Sequence, residues 1–455
     1  MVKKQASSFV CSNCGGNFEQ WFGRCPDCGE WNTLKSFNAP VPGNNPSGLD
    51  TSVTPSKFIS LQEAGKGSIT RISSGSKEID RVLGGGFARG SVVLVSGEPG
   101  IGKSTLLLSL LGSLSKNRIA VAYASAEEDG VHVALRAKRL KLSMQTLLFS
   151  SDNQVDALIQ GLQQAHKTTP LGVVVFDSLQ TLYASGSDTT SGSLSQSKEV
   201  LTRIIHFAKE EQITCIVVGH VTKEGDIAGP KFLEHMVDTV LFIEGESRSH
   251  LRILRSLKNR FGSTQETGFF ELGEEGIHEV ANPSEYFLDW GNAKTAEAGR
   301  AERRSSEAGK TAVGVREGPR IVFATIEALA VTSHLAFPKR VGKGVDGKRL
   351  EVILAILKKH LGLTIDSFDV YVNVSGGLTV RDPLADLGIA AAVYSAITGY
   401  RFPERSLFLG EVGLLGALRK SRDSDSIVKE ARRLGFTTFY TPHEIAHIRL
   451  LKSFS

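Results

Sequence analysis

The chain has 455 residues, of which 41% are hydrophobic and 22% charged, with a formal net charge of +5. This length exceeds one hydrophobic core and points to two to four domains, and the composition is that of a soluble globular protein rather than a disordered or fibrous one. No apolar run approaches the roughly 20 residues needed to span a bilayer, and no secretory signal opens the chain, so a cytoplasmic location is expected.

Four of the five cysteines lie at the N-terminus, as Cys11-x-x-Cys14 and Cys25-x-x-Cys28. Two such pairs ten residues apart suit a tetrahedral four-thiolate zinc site with no position left for substrate. Gly15 and Gly29 follow the second thiolate of each pair, where the chain must turn tightly. A redox role needs one reactive pair, and a reducing compartment disfavours two disulfides. Trp21, Phe22 and Trp31 are expected to form the mini-core of this small module, a stacking platform for bases being the alternative. Residues 1–36 are therefore read as a zinc module. Residues 37–66, rich in Pro, Gly, Asn and Ser, are read as a linker.

From 67 to 288 short apolar runs alternate with helix-like stretches. The runs at 91–96, 119–124, 172–176, 213–218 and 238–243 predict strands buried on both faces of a parallel sheet. Segments 103–116, 128–140, 153–166 and 194–211 have helical spacing. Cys215 falls within one of the apolar runs and is read as a small buried residue. The most specific signal is Gly97-Glu98-Pro99-Gly100-Ile101-Gly102-Lys103-Ser104-Thr105, which follows a strand and opens a helix. In that setting the glycines let backbone N–H groups close around phosphate oxygens. Lys103 would meet the β/γ-phosphates and Ser104 would bind Mg2+. The run ending Phe176-Asp177 places a carboxylate for the Mg2+ shell at a strand end. Glu127 and Glu128 follow another strand; one, preferably Glu127, would activate water, and the other would cap the next helix. In Lys258-Asn259-Arg260-Phe261-Gly262, two cations flank an amide. This is either a basic turn between strands or a charge offered to a neighbouring subunit's γ-phosphate.

Residues 289–310 read as a second linker. The segment 311–455 carries strand-like 321–326, an amphipathic helix over 347–361, strand-like 368–374, an apolar helix over 384–397, strand-like 406–411 and a final α/β stretch over 424–451. Between 331 and 360, Lys339, Arg340, Lys343, Lys348, Arg349, Lys358 and Lys359 outnumber Asp346 and Glu351. That excess suits a phosphate backbone, the alternative being a solvated helix face.

Taken together, the cysteine module, Leu83-Gly84-Gly85-Gly86-Phe87, GEPGIGKST, KNRFG and the stretch from Val218 to Asp238 resemble the bacterial RadA (Sms) family over nearly the whole length. The resemblance implies a RecA-like P-loop ATPase core, with an N-terminal four-cysteine zinc module and a C-terminal Lon-protease-like α+β domain. It implies ATP, Mg2+ and Zn2+ as cofactors, a hexameric ring, and ATP-driven movement on single-stranded and branched DNA in recombination and branch migration. Recombinase or replicative-helicase partners are implied as well. Carried onto this chain, Lys258 and Arg260 would couple nucleotide to DNA. The loops at 185–198 and 222–231 would face DNA, with Lys223 and Lys231 on phosphates. The run Ser125-Ala126-Glu127-Glu128-Asp129 departs from the family by lacking Gly before the pair and Ser after it.

In the Lon-like segment the nucleophile position falls on Leu384, which has no hydroxyl, and the lysine position falls near Asp425, so a scaffold without peptidase activity is expected. Two rival functions remain at this point. One is an ATP-dependent protease or unfoldase. The other is an ATP-switched scaffold for recombination proteins.

Overall fold

A computed structural model describes residues 8–11, 17–18, 20–27, 29–37, 60, 69–185, 193–220, 232–245, 250–273, 275–288 and 307–454. The chain forms two compact units, Met1–Ser68 and Ile69–Ser455.

The first unit is an antiparallel sheet of β1 (Ser8–Cys11), β2 (Asn17–Phe18) and β3 (Leu34–Phe37), in the order β2-β1-β3. Its centre is small: Cys11, Cys25 and Leu34 are buried, with Phe9, Phe18 and Phe22 against them. Phe18 and Phe22 meet edge to face at 5.8 Å. The expected aromatic mini-core is therefore only partly correct. Phe22 joins it, but Trp21 and Trp31 are 55% and 68% exposed, the buried places of this small cluster being taken by Cys11, Cys25 and Leu34. Gly29 has φ +74°, as the turn after its cysteine pair requires.

The second unit opens with β4 (Arg71–Ile72), α1 (Lys77–Leu83) and β5 (Phe87–Ala88). Next come β6 (Val92–Gly97), α2 (Lys103–Lys116), β7 (Ala120–Ser125), α3 (Gly130–Arg139), β8 (Leu147–Ser150) and α4 (Val155–Thr168). They are followed by β9 (Leu171–Asp177), α5 (Leu194–Glu211), β10 (Thr214–His220), α6 (Phe232–Met236) and β11 (Thr239–Glu244). Three further strands, β12 (Leu251–Asn259), β13 (Thr267–Gly273) and β14 (Gly276–Glu279), precede α7 (Ser284–Phe287). The sheet order is β14-β13-β12-β11-β6-β10-β9-β7-β8.

The stretch from β11 to β8 is parallel throughout. Its strands are continuously apolar because both faces are covered. Val93, Val95, Val121, Tyr123, Val173 and Val175 point to the side packed by α2 and α3. Val92, Leu94, Ala122, Val174 and Phe176 point to the side packed by α4 and α5. Alternation along each strand thus feeds two cores at once. The antiparallel extension β12-β13-β14 was not foreseen as part of this sheet.

The remaining strands are β15 (Lys310–Glu317), β16 (Arg320–Thr332), β17 (Arg340–Lys343), β18 (Phe368–Val374), β19 (Ser406–Phe408), β20 (Glu411–Val412), β21 (Leu418–Arg419) and β22 (Thr438–Tyr440). The helices among them are α8 (Gly347–Leu361), α9 (Asp386–Thr398) and α10 (Ser424–Arg433). A second sheet runs β17-β18-β16-β15-β19-β22. The two sheets share a core: Leu251, Ile253 and Phe269 from the first cluster with Val313, Val322 and Ile326 from the second. Two polar bridges reinforce the junction. Arg320 grips Glu78 with both terminal guanidinium nitrogens, at 2.9 and 2.8 Å, and Arg255 joins Glu317 at 2.6 Å and Glu244 at 3.0 Å. Residues 289–306, most of the expected second linker, lie outside the described residues; its end at Lys310 is already strand.

Candidate active site

Three parallel strands, β6, β9 and β7, end on the same edge of the sheet, with β10 between the first two, and each delivers a polar group where its last residue gives way to a loop. After β6 the phosphate loop turns back on itself. A Cβ at Gly97 would sit 2.7 Å from the Ile243 carbonyl oxygen, and Gly102 has φ +107°, so both positions favour glycine. Gly102 is the N-cap of α2 and supplies no side-chain cap. The first N–H groups of this 14-residue helix are thus left to a ligand, at its positive end. Lys103 is 5% exposed and donates to the carbonyls of Gly97 at 2.9 Å and Glu98 at 3.0 Å. Burial lowers its pKa, against the opposing pull of Asp177 and Glu127.

Asp177 ends β9 and is 4% exposed. One of its oxygens accepts from Ser104 Oγ at 2.8 Å and from the Tyr123 hydroxyl at 2.6 Å. Burial first, and then the facing carboxylate, push the Tyr123 phenol far above its usual range. The sequence motifs give no sign of Tyr123; only the parallel pairing of Ser125 with Asp177 places it there.

The two glutamates after β7 part company. Glu127 accepts from Ser178 Oγ at 2.5 Å, beside Asp177. Glu128 is held by Arg136 of α3 at 2.6 Å, and its other oxygen is buried with no hydrogen-bond partner among the described residues. Neither caps α3. That expectation is corrected: the cap is Asp129, which accepts from the His132 N–H at 2.9 Å, because its shorter side chain reaches the helix's open donors.

Lys258 is the penultimate residue of β12, just before the strand-to-strand turn. Its ammonium donates to the carbonyls of Glu234, His235 and Val237 at 2.9, 3.0 and 2.8 Å. An ammonium has three protons, and here three carbonyls at the end of α6 accept them. In this structure Lys258 thus caps a helix rather than projecting toward a neighbour. Arg260 keeps a half-exposed side chain, anchored to Asp238 at 3.1 Å. Sequence reasoning also missed Arg252, which is 5% exposed and donates to the Ile101 carbonyl of the phosphate loop at 2.8 Å.

The basic patch divides. Arg349, read as a DNA contact, is committed inside the fold: it pairs with Asp386 at 2.6 Å and donates to the Asp382 carbonyl at 2.7 Å. Arg340 likewise donates to the carbonyls of Phe368 and, at 2.9 Å, Ile365. Guanidinium groups satisfy several carbonyls at once, which is why these two were drawn inward. Lys339 and Lys348 remain exposed. Lys223 and Lys231, with most of the two expected DNA-facing loops, lie outside the described residues; residues 194–198 of the first are helix. Arg349→Ala is expected to cost about 3 kcal/mol of stability, because it strands the buried Asp386 carboxylate. Lys348→Ala should cost almost nothing. Urea unfolding of the full chain checks the contrast, and equal effects would contradict it.

In the turn just before α9, Leu384 is 3% exposed, packed with Ala312, Phe323 and Leu409. Asp425 is 82% exposed and pairs with Lys420 at 2.9 Å.

Family models match three segments: an AAA domain over residues 66–226, a rubredoxin metal binding domain over 9–36, and subunit ChlI of Mg-chelatase over 345–445. DNA repair protein RadA of Brucella abortus is 39% identical over 97% of this chain and 93% of its own length. DNA repair protein RadA of Bacillus subtilis is also 39% identical, over 97% and 93%. The chain belongs to the RadA family. Among solved structures, the ATPase domain of G40P aligns with 48% of the chain and 94% of its own, at 18% identity and a TM-score of 0.41. As a RadA-family protein the chain has a RecA-like P-loop ATPase core, a zinc ribbon and a ChlI/Lon-like C-terminal domain.

It is an ATP hydrolase whose cofactors are ATP with Mg2+, and Zn2+ in the ribbon. The residues fit both. The uncapped helix with Lys103, Ser104 and Asp177 is a phosphate and Mg2+ site in chemical kind. Cys11 and Cys25, distant in sequence, are buried in one small cluster; Cys14 and Cys28 lie outside the described residues. Zinc supplies folding free energy that so small a core lacks. Cys25→Ser should therefore release zinc and unfold the ribbon, while Ile69–Ser455 keeps its structure and its ATP turnover. Metal analysis and limited proteolysis test this, and unchanged zinc content would contradict the ribbon assignment. No helix among the described residues is long and apolar enough to cross a membrane.

Proposed function

We propose that this chain is a DNA-stimulated ATPase of recombinational DNA repair. In this reading it moves along single-stranded DNA and promotes branch migration, as a ring of copies with nucleotide bound between them. The observation that carries the reading is the convergence of buried Lys103 and Asp177 with half-buried Ser104 and, at the exposed rim, Glu127, in a chain 97% of which matches DNA repair protein RadA.

The geometry supports the following roles. The open N–H groups of α2 bind the β- and γ-phosphates, and Lys103 exchanges its two loop carbonyls for phosphate oxygens. Ser104 and Asp177 hold Mg2+, which when bound neutralises charge developing on the phosphates. Glu127, oriented by Ser178, takes the proton from the attacking water. Arg260, with half its side chain exposed at the end of β12, is the group best placed to meet a neighbouring subunit's nucleotide or DNA. Lys339 and Lys348 are assigned to the DNA phosphate backbone, with Lys223 and Lys231 on the loops facing it. A peptidase reading finds no support at Leu384, whose side chain is core and carries no hydroxyl.

A labelled three-stranded junction incubated with the protein tests the proposal. Branch movement should require hydrolysable ATP and weaken as salt rises. Binding without ATP-dependent movement would leave the scaffold reading in its place, and cleavage of casein would restore the protease reading.

A further inference from the structure

Tyr123 belongs to no motif of the chain, yet its hydroxyl ends on the carboxylate at the centre of the site. Its side chain is 1% exposed, on the strand beside β9, with its ring 6.3 Å from that of Phe149. A phenol in such a core costs free energy unless its hydroxyl finds a partner. Here the partner is Asp177, at 2.6 Å, on the same oxygen that accepts from Ser104 at 2.8 Å.

We propose that Tyr123 is a positioning residue for Asp177, holding its carboxylate toward the Mg2+ position and away from Lys103. The inference rests on the ATPase reading. An ammonium and a carboxylate sharing a site with little water attract strongly, and would pair unless each were otherwise held. Lys103 is held by the Gly97 and Glu98 carbonyls. On the other side, Asp177 is held by two hydroxyls. Ser104 has a second task, since its oxygen is the one that serves the metal. Tyr123 has no such duty, and its rigid ring fixes where its proton points. Without that hydroxyl, Asp177 loses one of the donors that oppose its attraction to Lys103, and a turn toward the ammonium ties up a Mg2+ group and a phosphate group together.

The test uses the full-length protein and its Tyr123→Phe variant, which keeps the ring and its packing. A fluorescent ATP analogue is titrated over a range of free Mg2+, and ATP turnover is measured over the same range. The free Mg2+ giving half-maximal binding and half-maximal turnover should rise about tenfold. Turnover at saturating Mg2+ should return to within about twofold of the parent. Phe149→Leu disturbs the ring's packing without touching the hydroxyl and should leave the Mg2+ midpoint in place. An unchanged midpoint in Tyr123→Phe, or an equal shift in Phe149→Leu, overturns the proposal. Failure of the parent itself to hydrolyse ATP at any Mg2+ level would instead overturn the ATPase reading.

Discussion

Lys103→Ala should abolish measurable ATP turnover, a loss of at least about 10²–10³-fold, with the chain still folded. The ammonium is the one cation among the described residues of the phosphate loop, and it sits where charge on the β- and γ-phosphates must be met. It is also costly to the empty protein. Burial lowers its pKa, so charged Lys103 penalises the fold at all pH values below its folded pKa. That penalty eases only as pH climbs through the folded pKa toward the unfolded one. Removing the ammonium removes this penalty at neutral pH but also takes the donor from the Gly97 and Glu98 carbonyls, so the fold of the variant is measured beside its turnover. Steady-state phosphate release together with a melting curve reads both. Turnover unchanged in a folded variant would remove the phosphate-loop assignment.

Glu127→Gln should separate binding from chemistry. The amide keeps the shape and can still meet Ser178, but it cannot accept the proton of an attacking water. Hydrolysis should fall by about 10²–10⁴-fold, with ATP affinity within a few-fold of the parent. Glu128→Gln is the comparison. Its carboxylate is drawn aside by Arg136, so turnover should change only a few-fold. Single-turnover hydrolysis by the two variants decides between the neighbours. The reverse ranking would move the base to Glu128, whose second oxygen is buried without a partner among the described residues.

How far these residues could be read in advance depended on whether their role is local. The helix over 347–361 and the strand over 368–374 stand where their periodicity puts them, because burying one face is a property of the segment itself. The apolar runs of the first sheet read equally well, since both of their faces are covered. Lys103 and Asp177 were legible because a phosphate loop and a strand-end acid are local features too. Residues whose role depends on distant partners were not. Lys258 looked like a free charge until the end of α6 gave it three carbonyls. Arg349 counted toward a surface patch until Asp386 took it into the fold. Arg252 and Tyr123 reach the site only through strand pairing, which no neighbouring residue announces. The antiparallel extension was missed for a related reason. Leu251–Asn259 carries Arg252, Arg255 and Lys258, which break the continuous apolar pattern of the other strands; in the fold Ile101, Glu317 and α6 accept those charges.

The shared core between the two sheets bears on how hydrolysis could be felt at a distance. β12 carries Arg252 to the phosphate loop, Arg255 to Glu317 beyond the first sheet, and Lys258 to α6. A single strand therefore touches the nucleotide loop, the C-terminal sheet and α6.

The most direct measurement is ATP turnover by the purified full-length chain, with and without single-stranded DNA, across a salt series. The account predicts a rate that rises when DNA is added at low ionic strength, with the stimulation fading as salt increases. A rate indifferent to DNA at every salt concentration, from protein that hydrolyses ATP, would contradict it.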